Sequence, residues 1–226
     1  MIQLHHLNHS RSQRIIWLLE ELELNYELIK HQRDPDTDLA PASLKQVHPL
    51  GKAPVLIDDE LKLAESGAII DYLAQRYGPQ LLPDKDSAAW WDYVYWLHYA
   101  EGSLMPPLVM RLVFDKVQAA PVPFFVRPII NKIVEGVDKA FLHQQIHSQL
   151  NFVADHLSCH DWILGEHFSA ADIQMSFPLE AAMHHPKWAA AYPRLKSYVA
   201  QIQARPAYLR ALAKGGDYRY GPNTQP

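Results

Sequence analysis

The feature that most constrains this chain is a change of rhythm at Gly78-Pro79. Ahead of it, short stretches of alternating apolar and polar residues take turns with stretches of helical period. Beyond it nothing reads as a strand. Strands confined to the first third must pair in one small sheet, and the remaining two thirds must build a helical core of their own. The spacing predicts strands over 2–7, 26–30, 55–57 and 61–63. A helix begins near Ser10, with Ile15, Leu18, Leu19 and Leu22 at i, i+3, i+4 and i+7, and another runs from Ser66 to the Gly78-Pro79 stop. Residues 35–46 read as a loop with a weak helical stretch. A mixed α/β domain over 1–78, a linker over 79–86 and an all-helical domain over 87–226 follow. Within the last, helices are expected over 128–157, weakened by Gly136, and over 169–183, 193–204 and 206–213, each opened by serine or proline. The closing GGDYRYGPNTQP has no periodicity and reads as an ordered flap or a loose tail.

Composition narrows the class. Of 226 residues 48% are hydrophobic and 20% charged, with a net charge of −4, ordinary for a soluble globular protein and unfavourable to nucleic acid or an anionic membrane. Arg205, Arg210, Lys214 and Arg219 read as a solvated face rather than a phosphate patch. The N-terminus has no apolar secretory core, and no apolar window is long enough to span a bilayer. The single cysteine, Cys159, permits no intramolecular disulfide. A cytoplasmic location is expected.

Three segments carry candidate chemistry. In His48-Pro49-Leu50-Gly51-Lys52-Ala53-Pro54-Val55-Leu56, a proline stands directly before a strand, where it offers no ladder donor. A plain strand-entry proline is the commoner solution. A cis Ala53–Pro54 bond is the other, and it would leave the backbone of Ala53 outside the sheet to pair with an extended peptide. Ten residues on, Ser66 suits a helix N-cap whose free N–H groups attract a carboxylate, and Glu65 suits an ammonium. Together they suit a zwitterion, although a capped helix with an acidic first turn has the same appearance. In Asn8-His9-Ser10-Arg11-Ser12-Gln13-Arg14, Ser10 and Gln13 fit a capping box. The functional alternative is a hydroxyl that donates to a thiolate at the helix end. Lowering a thiol by about two pKa units from about 8.5 needs about 2.7 kcal/mol, within reach of one charge-assisted hydrogen bond and a helix dipole.

In this order and spacing, the serine-bearing strand-loop-helix, the G-K-A-P-V-L turn and the E-S helix start resemble the N-terminal thioredoxin-like domain of cytosolic glutathione S-transferases. Trp162–Ile173, with Ser169 and Asp172 as a capping box, resembles the same family's helical domain, and the likeness covers residues 1–210. It implies that Ala53 pairs with the cysteinyl part of glutathione ahead of a cis Pro54. It sets Glu65 and Ser66 at the γ-glutamyl end and Lys52 near the glycyl carboxylate. Ser10 matches the activating serine of theta-like bacterial and fungal classes, four residues before Arg14, with Ser12 as the rival and Arg11 close enough to take part. An electrophile pocket is implied between the domains, with Glu101, Leu104 and Met105 as candidates, and so is a two-fold homodimer. The implied activity is conjugation of glutathione, as co-substrate, to small hydrophobic electrophiles in detoxification. Peroxidase or disulfide reductase chemistry on the same scaffold, and a non-catalytic ligand-binding role, are the alternatives.

Cys159 lies far from the first loop and is expected to be structural rather than redox-active. His143 and His147, like His156 and His160, stand at i, i+4 with no evident third ligand, so no metal centre is expected. His5 and His6 in a strand should point one inward and one outward. The aromatic run over 87–102 reads as core and subunit interface.

Overall fold

The computed structural model describes residues 1–222. Four strands, Ile2–Leu7 (β1), Tyr26–His31 (β2), Val55–Asp58 (β3) and Leu61–Ala64 (β4), form one sheet in the spatial order β2-β1-β3-β4. β1 runs parallel to β2 and antiparallel to β3, and β3 is antiparallel to β4. The parallel pair needs a crossover, which Ser12–Glu21 (α1) provides, while β3 and β4 need only a tight turn. Ser43–Val47 (α2) is the weak helical stretch of the second connection, and Ser66–Tyr77 (α3) ends at Gly78. This thioredoxin-like unit follows the predicted strands within one residue at each end.

Three expectations are corrected here. His5 and His6 are both buried, because β1 is an interior strand. Burial lowers the pKa of His5 and takes His6 down to about 4, so both rings are neutral near pH 7. The second correction concerns α1. Its period predicts one buried stripe, yet Ile16 and Trp17 are also fully buried, because Pro206–Gly215 (α11) packs along the helix. The Tyr208 ring lies 5.4 Å from that of Trp17. A Cβ at Gly215 would strike the end of the Gln13 side chain and come within 3.2 Å of Ile16, so a larger residue there would have to push Gln13 aside. The late basic residues are correspondingly not a free solvated face: Arg205 pairs with Glu21 at 2.6 Å, and Arg210 and Lys214 pair with Glu20 at 3.2 and 2.5 Å.

The helical part comprises Ala88–Tyr99 (α4), Met105–Ala119 (α5), Arg127–Val137 (α6), His143–Ser158 (α7), Ala170–Met183 (α8), Pro186–Ala191 (α9) and Pro193–Gln203 (α10), with α11 closing the set. The expected helix over 128–157 is two helices joined by a π turn at Asp138–Leu142. A second π turn, Ala100–Leu104, joins α4 to α5. Pro106 and Pro107 lack the N–H groups that would bond the carbonyls of Gly102 and Ser103, which accounts for its position. The aromatic run divides, with Tyr93, Trp96 and Tyr99 buried while Trp91 and Tyr95 are exposed. Among the described residues no helix is long and apolar enough to cross a membrane.

α8 is the central helix, buried on nearly every side. It starts with the predicted capping box: Ser169 N and Oγ both donate to Asp172 Oδ2 at 2.8 Å. The other oxygen, Oδ1, accepts from Ile163 N at 2.8 Å and Tyr198 Oη at 2.6 Å. Gly216, with φ +91, turns the chain out of α11 so that the following residues fold back. Tyr218 Oη donates to Glu180 Oε2 at 2.6 Å, Tyr208 donates to Glu180 Oε1, and Gln203 Nε2 donates both to Oε1 at 3.1 Å and to the Tyr220 carbonyl at 2.9 Å. Arg219 N reaches His9 Nδ1 at 3.0 Å. Up to residue 222 the closing segment is therefore an ordered strap; its last four residues lie outside the described residues.

Two outcomes are expected. Asp172→Ala strands four buried donors and should cost about 3 kcal/mol, read as a lowered urea midpoint. Burial raises Glu180 from 4.5 to about 6, so folding favours its protonated form. Its contribution is therefore fully present below pH 4.5 and lost as pH rises through about 6. The wild type should lose about 2 kcal/mol more than Glu180→Gln between pH 4.5 and 7. Equal losses in the two proteins would sink this account.

Candidate active site

The loop after β1, the approach to β3, the start of α3 and the π turn at Ala100–Leu104 meet around a cavity of about 350 Å³. Arg11, Lys52, Ala53, Pro54, Glu65, Ser66 and Glu101 line it, together with His48, Leu50 and Ala64, which sequence reasoning did not nominate. His48 and Leu50 belong to the turn quoted above, and their proximity follows from the way it folds against β3. The Ala53–Pro54 bond is cis, and the β3 ladder begins at Val55, so Ala53 stands outside the strand pairing. The plain strand-entry proline, the commoner reading of the segment alone, is thus replaced by the turn that the family resemblance implies.

Glu65 occupies the N-cap of α3 with φ +68 and ψ +115, a conformation that costs free energy in a non-glycine residue. Its side chain makes no cap hydrogen bond and stays exposed in the cavity wall, free to meet a cation. Ser66 is buried beside it, and its Oγ accepts from Arg14 Nη2.

Arg14 is the hub behind this wall. It is fully buried and donates also to the Gln174 carbonyl in α8 and, at 2.5 Å, to Glu101 Oε1 in the π turn. Glu101 Oε2 accepts from Arg11 Nε at 2.8 Å. Burial alone would raise the Glu101 carboxyl, but Arg14 and Arg11 outweigh it and hold the group below its ordinary range. One half-buried carboxylate is thereby clamped between two guanidinium groups from the first helix and its entrance.

The structure modifies the capping role of Ser10. α1 begins at Ser12, and Arg11, at the N-cap position, makes no side-chain cap bond. Ser10 Oγ instead donates to the Leu7 carbonyl at 2.8 Å, lies 2.8 Å from Ser12 Oγ and accepts from Ser12 N at 3.2 Å. Ser12 is completely buried, with Oγ 2.7 Å from Nδ1 of neutral His6 and accepting from Leu7 N at 3.1 Å. Ser10 is 7% exposed against 0% for Ser12, and neither hydroxyl lines the cavity, although Arg11 between them does.

Arg11 also lines a second, larger cavity of about 520 Å³, where its guanidinium carbon sits 5.2 Å from the centre of the Phe177 ring. Met105, Leu108, Val109, Leu112, Phe177 and Trp188 make this space largely apolar, and the strap adds Arg219 and Tyr220. Both cavities have volumes ordinary for small-molecule sites. Of the three residues expected there, Met105 lines the larger cavity. Glu101 lines the smaller one. Leu104 is buried in the core with no exposure and lines neither.

Cys159 is a free, exposed cysteine at the end of α7 and lines neither cavity. Among the described residues no group of three or more metal-binding side chains comes together. The rings of His143 and His147 lie 4.3 Å apart, tilted by 47°, and His147 Nδ1 lies 2.6 Å from Tyr192 Oη.

Known proteins share this arrangement. Residues 1–75 match the sequence model of the glutathione S-transferase N-terminal domain, and residues 137–201 that of the glutathione S-transferase C-terminal domain. Glutathione S-transferase 3 of Schizosaccharomyces pombe is 36% identical over 218 residues, spanning 96% of this chain and 89% of its own. A glutathione S-transferase structure from Actinobacillus pleuropneumoniae superposes with a TM-score of 0.78 at 37% identity, covering 95% of this chain and 93% of that one. A glutathione transferase family member from Pseudomonas fluorescens, solved with two glutathione bound, gives a TM-score of 0.73 at 27% identity, covering 93% and 92%. With both domains matched and the relatives covered almost end to end, the chain belongs to the glutathione S-transferase family.

Proposed function

We propose that glutathione, the co-substrate, lies in the smaller cavity and that its thiolate attacks small apolar electrophiles held in the larger one. The observation that carries this reading is the shared wall: Arg11 borders both cavities, so a sulfur near it faces the second substrate. The unpaired Ala53 backbone suits the cysteinyl unit. Exposed Glu65 suits the γ-glutamyl ammonium, Ser66 and the free N–H groups of α3 suit its carboxylate, and Lys52 suits the glycyl carboxylate. Held there, the tripeptide converts a bimolecular encounter into an oriented attack.

Ser10 is the favoured thiolate partner in this reading, of the theta-like serine type. It is the less buried of the two hydroxyls, and turning its proton from the Leu7 carbonyl toward the sulfur frees it to donate. Arg11 adds positive charge at the same wall. Ser12 holds the loop through Leu7 N and His6. The sulfur forms a bond to the electrophilic carbon, the leaving group departs with its electron pair, and the thiol proton passes to solvent. A cytoplasmic, detoxifying homodimer accords with the family and with exposed aromatic residues such as Trp91 on α4.

Titration calorimetry with ultraviolet detection of bound thiolate tests this. Glutathione should bind and ionise near neutral pH. Ser10→Ala should raise the bound thiol by about two pKa units and lower kcat/KM about tenfold to a hundredfold. Ser12→Ala should lower stability while leaving that pKa in place. Binding without thiolate would favour a non-catalytic protein, and absence of binding would overturn the reading.

A further inference from the structure

The larger cavity is apolar in its floor and unevenly charged at its mouth. Five cations line it, Arg11, Arg33, Arg111, Lys116 and Arg219, against two carboxylates, Asp38 and Asp115. Arg11 shares the single Glu101 carboxylate with Arg14, at 2.8 and 2.5 Å, and Arg111 pairs with Asp115 and Asp138 at 2.5 and 3.1 Å. The remaining three converge on the single carboxylate of Asp38, with Lys116 at 3.1 Å, Arg219 at 3.8 Å and Arg33 at 3.9 Å. At this cluster three cations share one carboxylate, an excess of two positive charges. The histidines His9, His184 and His185 in the same wall are held by burial below their ordinary range and add no charge near neutral pH.

This excess is assembled from three separate parts of the chain: the loop after β2, helix α5 and the strap. Like charges gathered at one rim repel unless an anion joins them. Arg33 is fixed in place, since its Nη1 donates to the Asp38 carbonyl at 2.8 Å and its Nε to the Asn8 carbonyl at 3.1 Å. The contacts of Arg33 and Arg219 to the Asp38 carboxylate are too long for hydrogen bonds, which leaves guanidinium N–H groups able to take a second acceptor.

We infer that the second substrate is an electrophile with an apolar, aromatic body and an acidic group, the body lying on Phe177 and Trp188 and the acid meeting Lys116 and Arg219. The inference rests on the conjugation reading above and names its substrate class. In the step itself, a thiolate attacking a chloroarene forms the carbon–sulfur bond while chloride leaves with the bonding pair, and the distant carboxylate is unchanged.

The test compares 4-chloro-3-nitrobenzoate with its neutral carboxamide, each kcat/KM divided by the uncatalysed rate with glutathione. The acid-to-amide ratio should fall about threefold to fivefold in Arg219→Gln and in Lys116→Gln, and rise in Asp38→Asn. It should not move in Lys132→Gln, which removes an exposed charge elsewhere. Raising sodium chloride from about 0.05 to about 0.5 M should shrink it in the wild type. A ratio that ignores Arg219→Gln and Lys116→Gln, or falls equally in Lys132→Gln, overturns the inference. Should glutathione fail to bind, the conjugation reading fails by itself. Fluorescence titration with anilinonaphthalene sulfonate against neutral phenylnaphthylamine then decides this one: the sulfonate must lose affinity selectively in the Arg219 and Lys116 variants.

Discussion

The Arg14 guanidinium is the contact on which the rest depends. Fully buried in α1, it reaches Ser66 at the head of α3, Glu101 in the α4–α5 π turn and the Gln174 carbonyl in α8. These elements come from both halves of the chain, so one side chain sets where the two domains meet. A buried ion pair is weak evidence for net stability, because desolvation opposes the attraction. Its consequence here is positional. With Arg14 in place, Ser66 and Glu101 occupy defined points on the cavity wall, and Arg11 is drawn to the other oxygen of the same carboxylate.

That placement joins two binding spaces of different character. The smaller is polar and bordered by a helix start, a strained Glu65 and an unpaired backbone segment, the furniture of peptide recognition. The larger is apolar and closed by a strap whose anchor, Glu180, is buried among two tyrosines and a glutamine. Arg11 stands between them and borders both.

Much of this was legible in the sequence because its causes are local. Alternation located the four strands, Gly78-Pro79 ended α3, and Ser169 with Asp172 marked the start of α8 before any contact was known. The segments that line the smaller cavity were legible for a similar reason, since each lies within a few residues of a turn or helix start. What was not legible depends on partners distant in sequence. Ser10 met the capping pattern, yet its hydroxyl bonds the Leu7 carbonyl because the loop packs down on Ser12 and His6. His6 is buried because β1 became an interior strand. Leu104 lies in the core while Met105, its neighbour, lines the cavity, a distinction fixed by the π turn rather than by residue type. The cation cluster on Asp38 draws on residues 33, 116 and 219, and no spacing rule links them.

The most direct measurement is a crystal structure with S-hexylglutathione bound. The account predicts the γ-glutamyl group at Glu65 and Ser66, the cysteinyl backbone paired with Ala53, the sulfur between Ser10 and Arg11, and the hexyl chain directed toward Phe177. A ligand bound elsewhere, or one whose sulfur faces away from Arg11 and whose hexyl chain leaves the larger cavity empty, would contradict it.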